Sequence, residues 1–215
     1  ELHEIVRHNL LRLEQLVRDI LDVSRLESRR FTLDPRPVDV GKLVAETARI
    51  ARGLYPGKQG SCEIRTPETA VVAAADRQRF KTVVYHLLSN AWKYAPEPAR
   101  IEGHVAEAGP EAAARHGVPA NGRAYVEVRV RDNGPGIRAA DLPRIFDKFF
   151  QGESAMRYRG NGLGLYLVRR LVECHHGGLR VDSREGEGST FSILLPKAGE
   201  AAGTRIPPAG TASSP

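Results

Sequence analysis

The stretch RYRGNGLGLYLVRRLV, Arg157 to Val172, decides how the chain is read. Gly160, Gly162 and Gly164 stand at alternate positions directly before an amphipathic helix predicted over residues 163–175. Glycine loses more backbone entropy on folding than other residues, and a helix start ordinarily carries a capping side chain. Three glycines here imply that something must approach the backbone closely. A glycine-rich loop meeting a helix N-terminus offers free N–H groups and a positive dipole end, which suits an anion such as phosphate. Two familiar phosphate loops do not fit. A dinucleotide fold places a strand immediately before G-x-G-x-x-G, whereas the polar segment QGESAMRYRG, residues 151–160, comes first here. A P-loop requires Gly-Lys-Ser/Thr, which is absent.

Three further clusters surround this one. In HLLSNAWKY, His86 to Tyr94, the residues His86, Asn90 and Lys93 share one face of a helix predicted over 77–94. An amide oxygen ligates a hard cation such as Mg²⁺, and a lysine neutralises phosphate; a plain solvated face has the same pattern. In VEVRVRDNGPGI, Val126, Val128 and Val130 alternate with charged residues, which predicts a strand with one buried face. It ends in Asp132-Asn133-Gly134-Pro135-Gly136, a turn signature with an acid beside two glycines. A buried carboxylate at a strand end accepts a hydrogen bond from an amine such as that of adenine and rejects the carbonyl of guanine. In IFDKFFQGES, Phe146, Phe149 and Phe150 are expected to be packing anchors, with Arg157 or Arg159 of the following polar segment reaching phosphate.

The rest of the chain supplies the frame. Residues 2–28 predict one helix, apolar at Leu2, Val6, Leu13, Leu16, Ile20 and Val23 and widened by Leu10, Val17 and Leu21. Its other face carries Glu4, Arg7, Arg12, Glu14, Arg18, Asp19 and Arg25. Such a helix needs partners for its stripe, from a second subunit, further sequence or the following domain. Pro35 and Pro37 break helicity and mark a boundary. Asp39 and Asp76 are candidate N-caps for helices over 40–52 and 77–94. Strands are expected at 62–65, 71–74, 99–106, 125–131, 178–183 and 189–195, the last two as a hairpin, and a short helix at 141–150. AGPEAAARHGVPANG reads as an exposed loop, and the Gly, Ala, Pro, Ser and Thr residues from Ala198 as a disordered tail. The expected fold is α+β, a two-layer α/β sandwich in which a mixed sheet is backed by helices on one face, preceded by one long helix.

Composition narrows the function classes. The 215 residues carry a net charge of +6, but Lys and Arg are scattered, so no nucleic-acid groove is expected. No apolar run approaches the roughly 20 residues of a membrane span. Cys62 and Cys174 are the only cysteines, without metal-ligand spacing, which favours a reduced, cytoplasmic setting. Met156 is the only methionine, so a piece of a longer parent, with room for membrane or sensor segments, is expected.

Taken in order, the four clusters resemble the sensor histidine kinase catalytic domain, of the ATPase family shared with gyrase, the heat-shock chaperone and the mismatch-repair ATPase. HLLSNAWKY is similar to its N box, DNGPG to its first glycine box, FDKFF to its F box, RGNGLGL to its second glycine box, and GEGSTFSILLP, Gly186 to Pro196, to its closing motif. The likeness runs from about Phe31 to Pro196, so an ATP-binding domain over 31–197 is implied. RLEQLVRDILDVSRLES resembles the second helix of the family's dimerisation and phosphotransfer hairpin, which makes residues 1–30 an incomplete hairpin and implies a homodimer in the parent. His3 and His8 lie in the wrong helix to be the phosphoacceptor, and His175 and His176 are read as structural or cap residues.

The resemblance implies ATP and Mg²⁺ as ligands. By motif, Asn90 would ligate Mg²⁺, with Lys93, Tyr94 and Arg159 nearby and Lys93 on phosphate. Asp132 would read the adenine amine, with Gly134, Gly136 and Ile137 along the base. Gly160, Gly162, Leu163, Gly164 and Leu165 would form the lid hinge and phosphate loop, and Thr190 would support the adenine end. His86 departs from the pattern: the position usually holds Asn, or a catalytic Glu in the related ATPases. It is open to metal, phosphate or water contact, or to a partly buried structural role. Trp92 also replaces an aliphatic residue and is read as packing. The implied activity is γ-phosphoryl transfer from ATP to a histidine outside this chain and thence to a response regulator. The alternative is a degenerate nucleotide-binding interaction module. An ATP-hydrolysing clamp is disfavoured because position 86 is not Glu.

Overall fold

The computed structural model describes residues 2–28, 31–119, 122–152 and 160–199. Arg157 and Arg159, and the tail from residue 200, lie outside them, as do the side chains of Leu2, His3, Val6 and His8.

Two of the first three helices follow capping chemistry written in the sequence. Helix α1 spans Leu2–Glu27. Helix α2, Val40–Gly53, starts where the Asp39 carboxylate accepts the Lys42 amide at 3.0 Å. Helix α3, Arg77–Tyr94, starts at Asp76, whose Oδ1 accepts the amides of Gln78 and Arg79 at 3.1 Å each. The other oxygen of Asp76 takes the Asp34 amide at 3.2 Å, so one carboxylate satisfies three backbone donors and ties the domain's leading segment to α3.

Five strands form the main sheet: β2 (Gly60–Arg65), β4 (Ala99–Ala108), β5 (Tyr125–Asp132), β6 (Gly178–Arg184) and β7 (Gly188–Pro196), in the order β2-β4-β5-β7-β6. Only β2 and β4 run parallel, so the sheet is mixed, as the unequal spacing of helices and strands implies. Strand β1 (Arg36–Asp39) pairs antiparallel with β3 (Val72–Ala75) in a small second sheet. The proline-rich segment thus ends in a strand, with Pro37 at its second residue.

Alternation along the strands divides the sheet into two faces. Val126, Val128 and Val130 of β5 and Phe191, Ile193 and Leu195 of β7 join Phe80, Leu87, Leu88 and Trp92 of α3 in one core. Helix α5, Gly164–Cys174, adds Leu167, Val168, Leu171 and Val172. Burial of each large side chain contributes about 1.5–3 kcal/mol. The opposite face is not bare. The predicted exposed loop contains a short helix, α4 (Glu111–Arg115), whose fully buried Ala112 and Ala113 pack on Tyr125 and Leu194. His116 follows, with Nδ1 3.0 Å from the Ala112 carbonyl and Nε2 3.4 Å from Glu127. Small side chains let this turn of helix sit close to the sheet, so helices cover both faces at this end.

The helix expected at 141–150 is also corrected. Only a 3-10 turn forms, at Leu142–Arg144. Phe149 takes a left-handed φ of 66° while its amide donates to the Gly162 carbonyl at 3.0 Å, which is incompatible with a helix running on to residue 150. Phe146 and Phe150 pack on the core as expected, but this backbone bend turns Phe149 outward to 64% exposure.

Helix α1 divides its apolar residues between two directions. Val23 and Leu26 are buried against the domain, whereas Leu10, Leu13, Val17, Ile20 and Leu21 are 49–61% exposed. Its acids hold it down: Asp22 pairs with Arg79 at 2.5 Å, and Glu27 accepts from Lys148 at 2.8 Å and from the Tyr166 hydroxyl at 3.3 Å.

His175 braces the far end of the domain. Its Nε2 accepts the Asp76 amide at 3.0 Å and its Nδ1 lies 2.7 Å from the Leu171 carbonyl, which fixes a neutral ring protonated on Nδ1. Burial pushes its pKa below the usual histidine value. The neutral ring's stabilisation is complete above about pH 6.5 and is lost as pH falls toward the lowered folded value. Urea unfolding midpoints therefore drop as the pH falls below about 6.5, and drop less in His175→Asn. Asp76→Ala, which strips three amides of their acceptor, lowers the unfolding free energy by about 1–2 kcal/mol at neutral pH.

Candidate functional site

One large cavity, of about 640 Å³, opens between α3, the end of β5, the start of β7 and the glycine-rich loop before α5, with α1 along one side. Its size is that of a small-molecule site. Helix α3 supplies one wall through a single face: His86, Asn90 and Lys93 line the cavity together with Ser89 and Tyr94. The other face of α3 is committed to the core.

Asp132 ends the central strand β5 and is 8% exposed. Its Oδ1 accepts the Gly134 amide at 2.8 Å, and the Ser189 amide helps to stabilise the carboxylate. Burial outweighs these donors and pushes its pKa above the usual aspartate range. The loop behind it is held from two sides. Asn133 accepts the Arg100 amide at 2.8 Å and donates to the Pro98 carbonyl at 3.1 Å. Gly136, at φ 69°, lies against the β6–β7 turn, where a Cβ would fall 1.8 Å from the Arg184 carbonyl oxygen. The Gly186 amide donates to Pro135 at 2.7 Å, and Ile137 donates to the Ser183 hydroxyl at 2.9 Å. The DNGPG stretch and the GEG turn are thus two halves of one packed unit.

The three glycines of the opening stretch have separate reasons. Gly160 lines the cavity and its carbonyl accepts from Gln151 at 2.9 Å. Gly162, at φ 67°, leaves no room for a side chain beside the Phe149 backbone, 2.5 Å from a built Cβ. Gly164 faces His86, whose Nδ1 would lie 3.0 Å from a Cβ. Close approach is therefore demanded partly by the protein itself. Helix α5 begins without a side-chain cap, so amides of its first turn are left for an anion.

Of the sequence-derived residues, Asn90, Lys93, Tyr94, Asp132, Gly136, Ile137, Gly160, Gly162, Gly164, Leu165 and His86 line the cavity. Gly134 sits just behind it, on the Asp132 carboxylate. Leu163 is 2% exposed and belongs to the core. Thr190 does not line the cavity: it pairs with Arg131 and Asp182 on the opposite face of β7, and its neighbours Ser189 and Phe191 face inward. A one-residue step along a strand reverses the side chain, which accounts for the displacement.

Among the lining groups not singled out from sequence, three polar ones shape the site. Lys58 donates to the Trp92 carbonyl at 2.6 Å, capping the C-terminal end of α3 at the cavity edge. Asn161 accepts the Leu163 amide at 3.1 Å and donates to Asp19 at 3.3 Å. Asp19, assigned to the polar face of α1, is only 4% exposed and lies against the cavity, with Oδ1 3.2 Å from His86 Nε2. That contact is poorly aligned, and His86 Nε2 has no proper hydrogen-bond partner although buried. The signal for Asp19 was its place in a 3-4-3 stripe with Leu16, Val23 and Leu26, an acid among apolar positions.

Comparison with known proteins agrees with this arrangement. Residues 75–199 match the family described as histidine kinase-, DNA gyrase B-, and HSP90-like ATPase. The autoinducer 2 sensor kinase/phosphatase LuxQ of Vibrio cholerae is 35% identical over 185 residues, covering 84% of this chain and 20% of that protein. The histidine protein kinase DivJ of Caulobacter vibrioides is 32% identical over 199 residues, covering 91% of this chain and 31% of that protein. The chain spans 18–31% of the length of LuxQ, DivJ and the Escherichia coli sensor histidine kinase RcsC. Among solved structures, the mycobacterial sensor histidine kinase MprB superposes with a TM-score of 0.62 at 25% identity, covering 75% of this chain and 98% of that one. Full-length ShkA, solved in complex with AMPPNP, superposes at 0.67 with 27% identity, covering 89% of this chain and 37% of that one. The family match covers more than half of the chain and encloses α3, the Asp132 loop and the glycine-rich loop; the chain belongs to the histidine kinase-, DNA gyrase B-, and HSP90-like ATPase family.

Proposed function

We propose that this chain is the ATP-binding catalytic portion of a two-component sensor histidine kinase. The observation that carries the reading is the buried Asp132 carboxylate at the end of β5, facing a cavity whose far side is a glycine-rich, uncapped helix start. One end of the site accepts a hydrogen bond in a dry setting, and the other receives negative charge. An adenine nucleotide has an exocyclic amine at one end and phosphates at the other.

In this reading Asp132 accepts the adenine amine, and Ser189, rather than Thr190, stands beside it. Gly136 and Ile137 line the base. Lys93 meets phosphate, as do the amides from Gly162 into α5. Mg²⁺ fits the site modestly: among the described residues no group of three His, Cys, Asp or Glu would hold a metal. A cation here would take the Asn90 oxygen, with His86 as a second candidate, and draw its remaining ligands from phosphate and water. The buried, poorly paired His86 Nε2 supports such a contact. The chain's own contribution to phosphoryl transfer is to fix the nucleotide and offset its charge, the two effects that dominate such reactions. Residues 1–30 would be the second helix of a dimerisation hairpin. The phosphoacceptor histidine would lie on the other helix, and the phosphoryl group would pass to a response regulator. AMPPNP bound to ShkA supports the nucleotide assignment.

Calorimetric titration with ADP tests the reading. Asp132→Ala weakens binding by about 10–100-fold, the scale of a hydrogen bond to a charged group; equal affinity in the variant would overturn it. Affinity falls as pH is lowered, and does so above the range of an exposed aspartate, because the raised Asp132 pKa means that the accepting carboxylate is lost earlier. Asn90→Ala removes the enhancement of binding by Mg²⁺. With labelled ATP the chain alone forms no acid-labile phosphohistidine.

A further inference from the structure

We propose that helix α1 latches the cavity through Asp19, so that docking of α1 and loading of nucleotide oppose one another. The inference rests on the nucleotide reading above. Asp19 gathers the Gln15 amide at 2.8 Å, the Asn161 amide at 3.3 Å and the His86 ring at 3.2 Å. Asn161 lies between two glycines of the phosphate loop, and His86 is one turn before Asn90 on α3. The carboxylate thus bridges the two walls that a triphosphate must reach.

The Gln15 and Asn161 amides donate to the Asp19 carboxylate and the His86 ring lies beside it, so an acidic group is held at the cavity wall between the two. Little water separates it from the cavity, since it is 4% exposed. Like charges in such a place repel far more strongly than in bulk solvent. Phosphates that arrive at Asn161 and His86 must displace Asp19, and its burial and its bond to Gln15 of the same helix tie that displacement to α1. Four further anchors of the helix lie outside the cavity: Asp22 on Arg79, Glu27 on Lys148, and the buried Val23 and Leu26. Coupling of this kind is reciprocal, so whatever draws α1 away tightens nucleotide binding by the same factor. Release also adds Val23 and Leu26 to the apolar surface that α1 already exposes.

The test uses the whole chain, titrated calorimetrically with AMPPNP and Mg²⁺. Asp19→Asn keeps the shape and removes the charge, and binds about 5–100-fold more tightly than wild type. Asp22→Asn touches no part of the cavity, yet loosens α1 and shifts affinity in the same direction by a smaller factor. In wild type, saturation with AMPPNP speeds amide exchange of residues 13–27. Equal or weaker binding by Asp19→Asn overturns the latch, weaker binding making Asp19 a cation ligand instead. No effect of Asp22→Asn, or unchanged exchange in α1, also overturns it. Should Asp19→Asn fail to fold, Asp22→Asn and the exchange experiment decide. The two readings separate on Asp132→Ala: a wild type that binds, an Asp132→Ala variant that does not, and an Asp19→Asn variant that matches wild type reject the latch alone. A wild type that takes no nucleotide rejects both.

Discussion

Asp132 must keep a carboxylate nearly dry at the end of the central strand, and much of the surrounding architecture is arranged to allow it. A buried charge without donors would be costly, so the chain turns at once and returns the Gly134 amide to it. That turn needs glycine at 136, because the β6–β7 turn presses directly on it. The β6–β7 turn in turn needs Gly188, at φ 92°, since a Cβ there would fall 2.1 Å from the Asp132 carbonyl oxygen. Motifs more than fifty residues apart are therefore one mechanical object. Neither glycine box is explained by ligand contact alone.

Much of this was legible in the chain itself. Capping acids at Asp39 and Asp76, valine alternation in β5 and the apolar face of α3 depend on local chemistry, and those elements stand where local chemistry puts them. Elements decided by distant contacts were not legible. The alanines of Glu111–Arg115 favour a helical turn locally, but nothing within AGPEAAARHGVPANG announces that Tyr125 and Leu194 offer it a surface to pack on. The segment after Asp141 fails to become a helix because Phe149 is claimed by Gly162. In the site, the α3 residues followed from helical spacing, whereas Thr190 was one step out of register with the inward-facing Ser189. Asp19 was placed with the charged residues of α1; it also shares a 3-4-3 stripe with Leu16, Val23 and Leu26, and the docking of that stripe on the domain buries it.

Helix α1 is the element whose sequence serves two masters. One stripe, with Leu16, Asp19, Val23 and Leu26, is turned to the domain; a second, with Leu13, Val17, Ile20 and Leu21, is turned outward. A helix with apolar residues on both sides is not satisfied by a single neighbour. The exposed stripe is suited to other helices, while the acids at 19, 22 and 27 choose the domain through specific basic and polar partners.

His175 carries a mechanical consequence. It pins the tail of α5 to the head of α3, while the opposite ends of those antiparallel helices bear the glycine-rich loop and the His86–Asn90 face. Leu167, Val168, Leu171 and Val172 hold the same helix along its flank, so the glycine-rich loop projects from a mount that is fixed both at its tail and at its side.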